Sequence, residues 1–289
     1  MYYDSLRNTT LVPMSGIGEK ELIWLEQQLS ENSDRKFIIL DHVYAGSRYQ
    51  SFSLWADKPT KTYFDILRKY KDRVIVEVGG HDHFSSVRYH STKNVFDLPD
   101  PEGERLNFHN LIIAPSFTPW YRNNPAVSVM EIDEQQIPRN FRSTYWNLGD
   151  TIGDTQVTPY EDLEFRDLDY KEAYGLDELT PNAIQMFAVQ LGLSPVMQND
   201  YMIRKIGLDP QDPEEVEISR EVFMDKGLIT KISKRGGAPL YSLWPQICLM
   251  ASNISVSEYA ACLAKDPETH IHGSTVHADK WERMIDYLL

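Results

Sequence analysis

Two apolar runs that each end in histidine constrain this chain more than any other feature. Lys36-Phe37-Ile38-Ile39-Leu40 leads into Asp41-His42, and Arg73-Val74-Ile75-Val76-Glu77-Val78 leads into Gly79-Gly80-His81-Asp82-His83. Each run has the length and apolar content of a buried strand. Helical patterns stand beside them. Leu22, Ile23, Leu25 and Leu29 recur at helical spacing within residues 19–29, and a second helix is expected over 62–70. Helix, strand, loop, helix, strand predicts layers of helices over a sheet, an α/β (α+β) class.

Further along, strands are expected at 111–116, 126–133 and 141–148; the second alternates like a half-buried antiparallel strand. Beyond residue 158 the pattern becomes helical, with helices expected at 181–191, 195–205, 241–252, 256–264 and 278–288. The acidic, proline-bearing stretch 208–217 reads as an exposed loop between two groups of them. The chain is therefore divided into an α/β part, 1–158, and a helical part, 159–289.

A length of 289 residues at 42% hydrophobic allows a substantial core. The net charge of -14 leaves no basic face to neutralise phosphates, which argues against a nucleic-acid partner. No apolar run is long enough for a transmembrane segment, and residues 1–5 lack the basic start of a signal peptide. Cys248 and Cys262 are either buried thiols or a disulfide closing a short helical loop, the latter implying an oxidising compartment. Asn8-Thr9-Thr10 and Asn253-Ile254-Ser255 fit the glycosylation acceptor pattern and lean the same way.

His81 and His83, spaced i, i+2, would point to opposite faces of a strand. Gly79 and Gly80 would give the backbone freedom to bend, letting both rings converge. Loops after strand ends are where α/β folds place ligand sites. Neutral imidazoles suit zinc, iron or manganese. The plainer reading is a pair of exposed loop histidines beside an acid. His270, His272 and His277 are read as a surface tail, His109 as a strand-edge packing residue, and Trp120 and Tyr121 as core or groove aromatics.

Gly80-His81-Asp82-His83 resembles the G-H-x-H motif of calcineurin-like metallophosphoesterases, and Leu40 to Gly46 resembles the segment before it in that family. Leu22-Ile23-Trp24-Leu25-Glu26-Gln27-Gln28-Leu29 and Ala114-Pro115-Ser116-Phe117-Thr118-Pro119 narrow the likeness to the acid sphingomyelinase-like branch. Tyr174-Gly175-Leu176, Leu179-Thr180-Pro181 and the stretch between Cys248 and Cys262 resemble its C-terminal helical subdomain.

The resemblance implies the C-terminal half of a four-layer β-sandwich flanked by helices, followed by a helical subdomain. It implies a phosphodiester hydrolase with two divalent ions, zinc by preference, His42 and His81 on one and His83 on the other, in a lumenal, lysosomal or secreted setting. The family's D-x-H, G-D-x-x-D and G-N-H motifs do not occur ahead of His42, so no catalytic residue is assigned. Two functions are therefore expected to compete. One is a phosphodiesterase that takes its N-terminal half from elsewhere. The other is an inactive structural subunit of a larger assembly.

Overall fold

The structure, a computed structural model, describes residues 17–48, 52–91, 107–120, 123–148, 164–225, 230–232 and 240–242. Its first sheet comprises β1 (Phe37–Leu40), β4 (Val74–Gly79), β5 (Ser86–Ser91) and β6 (Asn107–Ile113), ordered β1-β4-β6-β5. β1, β4 and β6 run parallel, and β5 returns antiparallel on β6. A small hairpin of β2 (Ser47–Arg48) and β3 (Phe52–Ser53) sits between β1 and the second helix.

Helices α1 (Ile17–Glu31) and α2 (Asp57–Lys69) build one apolar layer with the sheet. Pro59 falls in the first turn of α2, where its missing N–H costs nothing, and Arg68 and Lys69 close the last turn against the dipole. Leu22 and Leu29 of α1 and Tyr63, Phe64, Ile66 and Leu67 of α2 are buried with Phe108. Burying such side chains contributes roughly 1.5–3 kcal/mol each relative to exposure.

A separate core joins this sheet to an antiparallel one, β7 (Ala126–Ile132), β8 (Pro138–Asn147) and β9 (Glu164–Asp169). Val76, Val87, Tyr89 and Ile112 meet Ala126, Phe141, Tyr145 and Leu168 there. Three helices follow: α3 (Tyr170–Tyr174), α4 (Pro181–Leu193) and α5 (Pro195–Arg204). Asp169, Thr180 and Ser194 cap them by accepting from Glu172, Ala183 and Met197 main-chain N–H groups. Proline at the first position of α4 and α5 is preorganised for a helix start. Tyr170, Tyr174, Phe187 and Tyr201 fill the seam between these helices and the sheets with tilted and edge-on rings. α6 (Pro213–Asp225) and a hairpin of β10 (Thr230–Ile232) and β11 (Leu240–Ser242) end the described part.

The mixed α/β class expected from sequence is the class observed. Several elements differ from expectation. The strand expected at 111–116 begins earlier, at Asn107, and β5 and β9 are strands beyond those expected. In Ser86-Val-Arg-Tyr-His-Ser91 only Val87 and Tyr89 alternate as apolar residues, because the other face buries the polar Arg88 and His90. The stretch 208–217 is not simply an exposed loop: Leu208 is buried, and α6 starts at Pro213 with Glu214 and Glu215 in its first turn. Residues 240–242, at the start of an expected helix, form β11 because they pair with β10. The helices expected at 256–264 and 278–288 lie outside the described residues. So do Asn8, Cys248, Asn253, Cys262, His270, His272 and His277.

Candidate functional site

Parallel pairing of β1 with β4 carries the two histidine-bearing loops to the same end of the sheet. Leu40 pairs with Val78, so Asp41 and His42 emerge beside Gly79 and Gly80. The main-chain N–H of Asp41 donates to the Val78 carbonyl at 3.1 Å, and that of Gly80 donates to the His42 carbonyl at 3.1 Å. The outcome is an edge-on pair of imidazoles: the His42 and His81 rings lie 5.5 Å apart at 82°. His42 is exposed and His81 half-buried.

The two glycines act through close approach and not through left-handed backbone. A side chain at Gly79 would begin 3.0 Å from Asp41 Oδ1 and 3.2 Å from the Tyr44 ring; one at Gly80 would begin 3.1 Å from His42 Nδ1. The left-handed residues are the histidines themselves, His81 at φ 71° and His83 at φ 67°. For non-glycine residues that region costs on the order of 1–2 kcal/mol each. The cost is offset by Asp82 between them, which is buried, accepts a hydrogen bond from Tyr44 Oη, and accepts another from Arg88 Nη2 at 3.0 Å. His83 is tied down differently: its carbonyl accepts from Ser116 N–H at 3.2 Å. Behind Arg88, burial and the neighbouring guanidinium push the Lys205 ammonium down to about 7.

The acids nearest the histidines are directed to other work. Asp41 is next to His42 in sequence, yet burial and the Glu77 charge push it up to about 9, so it is neutral at pH 7. Its two carboxyl oxygens are buried beside Glu77. Glu77 on β4 is raised to about 7 by burial and faces His109 of β6. His109 is thus not a strand-edge residue: β6 lies between β4 and β5, and the imidazole is buried against a carboxyl group. Sequence reading missed this row and the Tyr44–Asp82–Arg88 cluster. The signals were a lone Glu inside Val-Ile-Val-Glu-Val and a lone Arg inside the polar strand β5. Trp120 projects 78% exposed beyond the strand end, outside any core, and Tyr121 lies outside the described residues.

A metal ion tests this arrangement by donor count. Two imidazoles in edge-on contact suit two positions on a borderline divalent ion. Among the described residues no group of three His, Cys, Asp or Glu side chains converges to hold one, whereas protein zinc sites use at least three ligands. The residues present fit part of a centre and not a whole one.

No family model matches the chain. Among curated proteins it is 30% identical over 114 residues to a sphingomyelin phosphodiesterase of Caenorhabditis elegans, covering 39% of this chain and 16% of that protein. It is 26% identical over 190 residues to a cyclic GMP-AMP phosphodiesterase of Bos taurus, covering 61% of this chain and 38% of that one. The chain thus matches well under two thirds of the length of either relative. The acid sphingomyelinase-like resemblance carried by the motifs is therefore present as distant relatedness over part of the chain.

Proposed function

We propose that this distant relative of acid sphingomyelinase-like phosphodiesterases supplies the imidazole part of a divalent-metal phosphodiesterase site. His42 and His81 would hold one ion, zinc by preference, and His83 would serve a second. The remaining donors, carboxylates above all, would come from outside the described residues. The observation that carries this reading is the edge-on His42–His81 pair, 5.5 Å apart at adjacent ends of parallel strands.

What divalent ions bring to such a site is Lewis-acid polarisation of a phosphoryl group and activation of water near neutral pH. The chain's own contribution is to present the His42 and His81 imidazoles side by side at adjacent strand ends. Asp41 and Glu77 stay turned into the sheet and do not compete for the ion. Phosphodiesters of the kinds named for the relatives, sphingomyelin or a cyclic dinucleotide, are the substrate classes proposed. No helix among the described residues is long and apolar enough to cross a membrane. A lumenal or secreted setting rests on the relatives and on the sequence motifs, and is part of the proposal.

One feature favours a second reading, an inactive structural subunit. Among the described residues β1 is an edge of its sheet, and it exposes Ile38 and, at 76%, Leu40 on the face opposite Phe37 and Ile39, which pack against α1. Such a face calls for a covering partner whether or not chemistry follows. Metal analysis of the natively isolated protein, with hydrolysis of bis(p-nitrophenyl) phosphate, separates the two. Bound zinc and hydrolysis that are both lost in His42→Ala and His81→Ala support the first reading. An intact, metal-free assembly without hydrolysis supports the second.

A further inference from the structure

We propose that Asp82 is a positioning residue that sets the separation of the His42 and His81 rings through Tyr44 and Arg88. The inference rests on the reading above for the use made of those rings, though not for the geometry.

Burial alternates across the turn: Asp82 is 4% exposed, while His81 and His83 on either side are half-buried. Both flanking residues hold left-handed backbone, a conformation that persists in non-glycine residues only where surroundings over-determine it. The Asp82 carboxylate supplies that constraint from two directions. Tyr44, two residues beyond His42, donates its hydroxyl to Oδ2. Arg88 on β5, 2% exposed, donates Nη2 to the same oxygen at 3.0 Å and lies over the Tyr44 ring at 4.5 Å.

A single carboxylate oxygen therefore joins the loop that carries His42, the turn that carries His81, and a strand of the sheet. Locally, Asp82 N–H also donates to the Gly80 carbonyl at 2.8 Å, so the side chain and main chain of this residue tighten the same turn. Moving the carboxylate moves the two loops relative to each other, and with them the two rings.

A plain structural ion pair would explain the burial equally well, so the test must part stability from position. In the full chain, Asp82→Asn with Arg88→Met removes both charges together, a replacement that buried pairs often tolerate without loss of stability. The double variant should melt within a few degrees of the parent. It should lose the ring-to-ring nuclear Overhauser contact between His42 and His81. Its cobalt(II) dissociation constant, followed by visible absorption, should rise about tenfold or more, as outer-shell changes do.

Retention of both the contact and the affinity would overturn the proposal. Should the double variant fail to fold, Tyr44→Phe leaves the ion pair in place and decides by the same readouts. If the parent itself binds no cobalt(II), the metal reading fails while the Overhauser contact still decides the positioning role.

Discussion

His109 Nε2 lies 2.5 Å from Glu77 Oε2 across β6 and β4, with both side chains buried. Burial drives the imidazole down to about 3 and raises the carboxyl to about 7. The contact is thus a hydrogen bond of an uncharged histidine, not an ion pair, at neutral pH. It sits directly beneath the end of the sheet that carries the histidine loops.

The Glu77 carboxyl titrates higher in the fold, near 7, than its ordinary 4.5. Its protonated form therefore stabilises the fold fully below pH 4.5, and that contribution is lost as pH rises toward 7. Glu77→Gln cannot ionise. Relative to the parent it should gain up to about 3 kcal/mol between pH 4.5 and pH 7.5, measured by urea denaturation at both values. A difference that stays constant with pH would contradict the assignment.

His90 has the opposite sign. Its two ring nitrogens are buried without hydrogen-bond partners, and the ring lies 4.5 Å from Phe64 and stacked on His109 at 5.6 Å. Burial above all, with the Arg88 charge beside it, holds it well below the usual imidazole range. Its contribution is fully present above pH 6.5 and is lost as pH falls. His90→Leu should gain on the parent by about 1.4 kcal/mol per pH unit below 6.5. Equal acid limbs in the two proteins would rule this out.

Gly80→Ala places a methyl group 3.1 Å from His42 Nδ1, at a residue without left-handed backbone. Because His42 is exposed, the ring gives way at little cost, so stability should change by no more than about 1 kcal/mol. Metal affinity at the His42–His81 pair should nevertheless fall about tenfold. Isothermal titration with zinc beside a melting curve checks both halves of this expectation.

Leu40→Lys tests β1, the edge strand of its sheet among the described residues. The side chain is exposed, so the substitution should cost less than about 0.5 kcal/mol. A lysine on an edge strand disfavours pairing with another chain. The variant should sediment as a monomer under conditions where the parent associates; identical sedimentation of the two would remove the edge as an interface.

Much of the scaffold was legible because local pattern and tertiary need agree in it. β1, β4 and β7 follow apolar or alternating runs, and α4 and α5 announce themselves by Thr180-Pro181 and Ser194-Pro195. β5 was not legible, since a strand covered on both faces can bury Arg88 and His90 once partners or packing exist for them. Partners drawn from distant parts of the chain leave no mark at short range.

The same division holds at the site. Sequence alone determined that His42 and His81 follow strands, because apolar runs and the residues that end them are local properties. Only the tertiary structure decided that the two rings meet, through the parallel register of Leu40 with Val78. It also decided which acids serve them: Asp82 braces the turn, whereas Asp41 and Glu77 are withdrawn into the sheet. Burial and neighbouring charge set those roles, and both are fixed only when strands far apart in the chain lie side by side.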